Sequence, residues 1–107
     1  MVSDDALMRA FQNGSREGFE ELFARYRRPI FGFFARRLES RERAEELMQG
    51  TFLAVIASVK RYVPRALVRT WFYGIAIKQL SRERRREARG NRVSLSGDRG
   101  GFARRSR

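Results

Sequence analysis

The segment TWFYGIAIKQLSRERRREAR, Thr70–Arg89, places an apolar, aromatic half directly before a cationic half. Its pattern predicts a fourth helix over residues 66–88. Around such a helix, the apolar side chains from Trp71 to Ile77 point in every direction. A helix that is apolar on all sides is either buried on all sides or half of it awaits a partner.

One side of this predicted helix combines an indole, a small gap and a row of cations. At spacings of three, four and one, that side carries Trp71, Gly74, Ile75, Lys78, Arg82, Arg85, Arg86 and Arg89. Arginines in this arrangement can neutralise successive phosphates, and an aromatic ring can stack on an unpaired base. Trp71 can equally be a core residue, and the pattern alone leaves both roles open.

The net charge of +12 is concentrated in the second half of the chain. Residues 1–59 contain nine arginines and nine acidic residues, whereas residues 60–107 contain fifteen basic residues and three acidic ones. This asymmetry predicts a polyanionic partner. Nucleic acid is favoured over a membrane surface or a merely solvated cationic face.

Composition excludes several functional classes. The sequence has neither cysteine nor histidine, which removes disulfides, thiolate metal sites and the commonest general base. No apolar run reaches the roughly 18–20 residues that span a bilayer, and the acidic N-terminus is unlike a secretory signal. We therefore expect a cytoplasmic protein that is not an enzyme, needs no cofactor or metal, and does not insert into membranes.

Capping residues and turn signals predict three helices before this segment. Ser3, Ser15 and Ser40 are suitable N-caps, and Asn13-Gly14 should end the first helix near residue 12. Pro29 should kink or interrupt the second helix, because it lacks an N–H group and crowds the preceding turn.

No strand pattern competes with these helices. The sequence thus predicts a compact all-α bundle of about four helices over residues 3–89. The remainder, 90–107, is rich in Gly and Arg, and it is predicted to be a flexible linker or disordered tail.

The predicted third helix, 41–59, has two distinct sides. Its core stripe consists of Ala44, Leu47, Met48, Thr51, Phe52, Val55 and Val59. Its polar side consists of Glu42, Glu45, Glu46 and Gln49. Periodicity leaves two interpretations of the polar side open: an ordinary solvated face, or an acidic docking face for a basic partner.

Two segments carry a family resemblance. AEELMQGTF, Ala44–Phe52, resembles the region 2 signature of bacterial RNA polymerase sigma factors, and TWFYGIA, Thr70–Ala76, resembles a second signature of the small extracytoplasmic-function group. An arginine-rich helix end follows in the expected place, and the resemblance covers about residues 4–89. It implies a domain that binds core RNA polymerase, and that recognises and melts the upstream, minus-ten promoter element.

The resemblance also implies roles for individual residues. The side of the third helix that docks on the clamp helices of the polymerase β′ subunit would include Glu45, Glu46, Gln49 and Leu53. The connector 60–69 corresponds to a loop that captures a flipped base, and the fourth helix lies along the melted DNA. The implied DNA-binding residues are Lys60, Arg61, Tyr62, Arg65, Arg69, Trp71, Lys78, Arg82, Arg85, Arg86 and Arg89. Many members are restrained by an anti-sigma protein over the polymerase-binding face, which makes such a protein a further candidate partner.

Several positions depart from the family pattern. Glu46 stands where Asp is usual and keeps the carboxylate, whereas Gly50 replaces a usually acidic residue. Ile77-Lys78 stands where Arg-Asn is common, so a point charge replaces an amide that could read a base edge. Arg82 replaces a common Asp. The usual second domain with a helix-turn-helix does not follow Arg89, which predicts an excised domain or a naturally truncated product.

Three other functions fit parts of the pattern. A general basic helical nucleic-acid-binding module, the main alternative, explains the charge but not the acidic, glutamine-bearing side of the third helix. A hydrolase could use paired carboxylates such as Glu42 and Glu46, but nothing in the sequence supplies a metal triad or a phosphate loop. A membrane-surface helix needs its arginines across from its apolar residues, whereas here they follow along the axis.

Overall fold

The computed structural model describes the backbone of residues 1–97 and the side chains of residues 1–90. In this part of the chain the helices are α1, Asp4–Gln12; α2, Arg16–Ala35; α3, Arg41–Ser58; and α4, Val68–Gly97. A 3₁₀ turn, Val59–Arg61, continues from α3 into an irregular connector. The predicted all-α bundle of about four helices is confirmed. None of the described helices is long and apolar enough to cross a membrane.

The helix starts follow from local chemistry. The Oγ atoms of Ser3, Ser15 and Ser40 each accept a hydrogen bond at 3.1 Å from the backbone N–H three residues later. These bonds satisfy N–H groups that have no partner within the first helical turn. Between α1 and α2, Gly14 has a φ of +99°, a left-handed conformation that glycine adopts without steric cost.

Pro29 does not interrupt α2, which continues through it to Ala35. The predicted interruption is therefore wrong. Pro29 is exposed, so water can reach the carbonyl that loses its N–H partner there. The next turn buries Ile30, Phe33 and Phe34 in the core, and this packing outweighs the lost hydrogen bond.

The end of α4 also differs from the prediction. The helix continues to Gly97 instead of ending near residue 88. Gly90 keeps a negative φ, at a cost of about 1 kcal/mol relative to alanine, and its neighbours include the good helix formers Arg and Ala. The predicted linker over 90–107 therefore begins as helix, while residues 98–107 lie outside the described residues. The division of the chain at residue 90 stays a prediction.

One face of α4 forms the centre of the bundle. Val68, Phe72 and Ala76 are at most 2% exposed. The Phe72 ring lies edge-on to Phe52 of α3 and Tyr26 of α2, with ring centroids 5.8 and 4.9 Å apart. All seven residues of the predicted α3 core stripe are buried, which confirms that stripe. The apolar segment that opens α4 is thus buried on one side only.

A buried ion pair joins α3 to the cationic half of α4. The Glu83 side chain is 2% exposed and is the one buried charged group among residues 1–90. Arg43 donates to it twice, from Nε to Oε2 at 2.9 Å and from Nη2 to Oε1. The Arg43 hydrogen bonds hold the pKa of Glu83 below its usual range, despite the opposing effect of burial. Arg86 Nη1 lies 3.4 Å from the same carboxylate.

Replacing Arg43 should destabilise the fold strongly. Arg43→Ala leaves Glu83 buried beside the more distant Arg86, and removing one partner of a buried pair costs about 3 kcal/mol. Arg84→Ala removes an exposed arginine next to Glu83 on α4 and is the control. The measurement is denaturant unfolding of the three proteins. Equal midpoints for Arg43→Ala and wild type contradict the structural role of the pair.

The difference in free energy of unfolding between wild type and Arg43→Ala should depend on pH in a defined direction. Because the pKa of Glu83 is lowered in the folded chain, its stabilisation is complete above about 4.5, the ordinary value of the group. As the pH falls below 4.5 and through the lowered pKa, that stabilisation is lost, and wild type and Arg43→Ala should converge in free energy of unfolding.

Candidate nucleic-acid and polymerase-binding surfaces

A cleft of about 390 Å³ lies between the connector and the first turns of α4. This volume is in the range of sites that hold small ligands. Its lining combines aromatic, aliphatic and cationic side chains: Tyr62, Val63, Arg65, Ala66, Thr70, Trp71, Gly74, Ile75 and Lys78. Four of the predicted DNA-binding residues are thereby brought together, namely Tyr62, Arg65, Trp71 and Lys78.

Two aromatic rings form the apolar wall of this cleft. Tyr62 is 9% exposed, and its ring lies edge-on to that of Trp71 with centroids 4.8 Å apart. Trp71 is half-buried, and its ring also packs on Phe72 at 5.7 Å. Burial raises the pKa of the Tyr62 hydroxyl, and the nearby charge of Asp5 raises it further, so this side chain is neutral near pH 7. Trp71 therefore packs on the core and also borders the cleft.

A cationic face continues from the cleft along α4. Lys78 lies at its start, and Arg82, Arg85, Arg86 and Arg89 follow with all five side chains exposed. Arg86 differs from the others because Glu83 lies 3.4 Å away and offsets part of its charge. Lys60 and Arg61 are exposed in the 3₁₀ turn that leads into the connector.

The structure does not bring Arg69 into the cleft. Arg69 lines a different cavity of about 320 Å³, whose other polar residues include Asp4, Asp5 and Tyr26. The difference arises because the connector ends at α4, and helical geometry turns Arg69 away from the face that carries Trp71 and Lys78. A contact between Arg69 and a base in the cleft finds no support in this placement.

The polar side of α3 forms a second surface. Glu46 and Gln49 are exposed, and Glu45 is half-buried. Leu53 is 67% exposed one turn further along, and Ile56, which the sequence analysis did not single out, is 45% exposed. The helix therefore presents carboxylates, an amide and aliphatic side chains together. Arg43 also donates to Glu46, so one arginine contacts both this surface and Glu83 of α4.

Gly50 lies where α3 approaches α4. A Cβ atom at this position would lie 3.3 Å from Oε1 of Gln79, which is closer than ordinary van der Waals contact. The acidic residue that the family usually carries here would therefore require Gln79 to shift. Gly50 allows the close approach instead.

Sequence reasoning missed two residues that organise these surfaces. Glu83 was not predicted as a site residue, although it continues the buried α4 positions Phe72, Ala76 and Leu80 at helical spacing. Gln12 carries no signal in the sequence, because its hydrogen-bond partners are 47 and 50 residues away. Only the fold reveals that contact.

The chain has one matched family and several matched relatives. Residues 22–90 match the family described as Sigma-70 region 2. The chain belongs to the sigma-70 region 2 family. Its resemblance to extracytoplasmic-function sigma factors, predicted from the two signatures, is confirmed by the relatives it matches.

The relatives are much longer than the matched segments. The chain is 42% identical over 69 residues to RNA polymerase sigma factor CarQ of Myxococcus xanthus, which covers 64% of this chain and 40% of that protein. It is 31% identical over 61 residues to RNA polymerase sigma factor YlaC of Bacillus subtilis, covering 57% of this chain and 35% of YlaC. The chain thus spans two fifths or less of these two relatives.

A solved structure supports the fold independently. The chain resembles an engineered region 2 of sigmaE, determined by NMR in complex with GTAAAA, with a TM-score of 0.73 and 22% identity. The match covers 88% of this chain and 96% of that chain. At this identity the likeness establishes the shared arrangement of helices.

Trp71 should report directly on occupation of the cleft, because it is the one tryptophan in the sequence. We expect an oligothymidylate strand to quench its fluorescence through base stacking, and an abasic strand of equal length to quench it much less. Anisotropy of labelled strands measures binding in parallel. Equal quenching at matched occupancy would place Trp71 away from the bound bases.

Proposed function

We propose that this chain is the region 2 domain of a sigma factor. It binds core RNA polymerase in the cytoplasm, recognises the upstream, minus-ten promoter element and melts it, without catalysing a reaction itself. The observation that carries this proposal is the continuity of an aromatic cleft with an exposed cationic face on one helix. The family membership of residues 22–90 supports the same function.

The cleft and the cationic face suit a single strand of DNA. The exposed Lys78, Arg82 and Arg85 can contact successive phosphates, while the cleft receives a base turned out of the stack. Extruding a base costs a few kcal/mol, and stacking of about 1–3 kcal/mol per base can offset this. The similar engineered region 2 of sigmaE was solved in complex with GTAAAA, which supports a short nucleic-acid strand as the ligand.

The polymerase-binding surface in this proposal is the polar side of α3. Glu45, Glu46 and Gln49 supply polar contacts to the β′ clamp helices, and Leu53 supplies an apolar contact. An exposed leucine beside carboxylates fits a protein partner better than it fits DNA, because it would contribute nothing to phosphate binding. An anti-sigma protein that restrains the factor would cover the same surface.

Loss of Arg85 should reduce the salt dependence of DNA binding. Arg85→Ala removes one phosphate contact, so the log–log slope against salt should fall by about 0.7 for a single strand. Arg86→Ala should change it less, because Glu83 already offsets part of that charge. Arg16→Ala on α2 is the control, since its side chain is 84% exposed and distant from α4 in sequence. Identical slopes in all four proteins would remove the cationic face from the DNA-binding surface.

The polymerase contact can be tested while the buried Arg43–Glu83 ion pair is kept. Glu46→Arg would place a second cation beside Arg43, so the better variant is Glu46→Gln combined with Gln49→Ala. This protein should lose retention on immobilised core polymerase while keeping wild-type helical circular dichroism. Glu20→Gln, which removes an exposed carboxylate from α2, is the control.

The same measurement separates the two candidate functions. A general basic nucleic-acid-binding module would show no retention of the wild-type chain on core polymerase, while its binding to single-stranded DNA would persist. Retention of the double variant at the wild-type level would instead place the polymerase contact on a different surface.

A further inference from the structure

Gln12, the last residue of α1, hydrogen-bonds to backbone carbonyls that lie 47 and 50 residues further along the chain. Its Nε2 atom donates to the carbonyl oxygen of Val59 at 3.0 Å and to that of Tyr62 at 2.8 Å. One amide group therefore uses both of its hydrogens on the connector. Gln12 lies outside residues 22–90, the part of the chain that matches the family.

These two carbonyls enclose the 3₁₀ turn that begins the connector. Within the turn, the Tyr62 N–H donates to the Val59 carbonyl at 3.1 Å. Beyond it, a local bond from Arg65 N–H to the Val63 carbonyl, at 2.8 Å, orders the residues that border the cleft. Among the described residues, no other helix side chain donates to a backbone carbonyl of residues 59–67.

Helix α1 is itself firmly attached, so it can act as a support. Arg25 Nη1 of α2 donates to Asp4 Oδ1 at 2.8 Å, and the Tyr26 hydroxyl donates to the same carboxylate. At the other end of the helix, the rings of Phe11 and Phe19 lie 5.0 Å apart. Gln12 is thus held between a fixed helix and a connector whose described carbonyls accept from no other helix side chain.

We propose that Gln12 is a positioning residue for the cleft. It holds the backbone of Tyr62, and the Tyr62 ring packs on Trp71, so Gln12 fixes the aromatic wall against which a base would stack. The inference rests on the proposed function of the cleft. It assigns to α1 a part in base capture, although α1 itself does not touch the ligand.

This role makes a selective prediction. The phosphate-binding residues on α4 do not depend on Gln12, because the core stripe of that helix holds them in place. Loss of Gln12 should therefore weaken contacts to bases and spare contacts to phosphates. If Gln12 had a purely structural role, its loss would lower the stability of the fold. The preference for contacts to bases over contacts to phosphates would then stay unchanged.

The experiment compares two strands of equal length and equal charge, an oligothymidylate and its abasic analogue. Stacking is tolerant of sequence, so the probe does not depend on the promoter. The wild-type chain should bind the oligothymidylate about tenfold more tightly. Gln12→Met, which keeps length but has no donor, should bind both strands equally, with an unchanged salt slope for the abasic strand.

Two further variants complete the test. Gln12→Lys restores a donor and should therefore restore the tenfold preference for the oligothymidylate. Its added charge acts on both strands alike, so it does not alter that preference. Asn13→Ala, on the adjacent exposed residue, should behave as wild type. If Gln12→Met fails to fold, Gln12→Asn replaces it, since its shorter side chain cannot reach both carbonyls.

The outcomes distinguish the positioning role of Gln12 from base capture by the cleft. A folded Gln12→Met protein that keeps its preference for bases overturns the role of Gln12 and leaves base capture intact. A lowered salt slope in that variant also overturns it, because Gln12 would then act on the cationic face. No preference in the wild-type chain removes base capture by the cleft, and the positioning role with it.

Discussion

The burial of one face of α4 is the constraint on which the rest of the structure depends. Val68, Phe72 and Ala76 pack into the bundle, and Leu80 and Glu83 continue the same face into the arginine-rich half. A helix that buries one stripe exposes the opposite one. The cations of α4 are therefore exposed to solvent because the apolar residues and Glu83 bury the opposite side of the helix.

Sequence alone predicts what is encoded by neighbours along the chain. The serine caps and the α3 core stripe require only short-range chemistry or helical periodicity, and each was found where expected. Pro29 shows the limit of such rules. Its intrinsic preference against a helix interior is a few kcal/mol, and burial of Ile30, Phe33 and Phe34 in the following turn exceeds that amount.

The candidate surfaces also differ in how far spacing along the chain predicts them. Residues of the helical cationic face could be grouped from spacing, because α4 is regular throughout. The connector has no period, so spacing could not separate Arg65, which lines the cleft, from Arg69, which does not. Gln12 was invisible for a related reason. Its partners are backbone carbonyls, and any residue type supplies a carbonyl, so no side-chain pattern marks the contact.

Arg43 explains how the two surfaces keep a fixed relation. It donates to Glu46 on the polar side of α3 and to Glu83 beneath the cationic face of α4. A carboxylate buried in an apolar layer is costly unless it is paired, so Glu83 cannot leave Arg43 without loss of stability. The start of α3 is therefore bound to the middle of α4, and the distance between the proposed polymerase contact and the proposed DNA contact is set inside the domain. Because Arg43 joins α3 to α4, a partner that orients α3 would orient the cationic face of α4 as well.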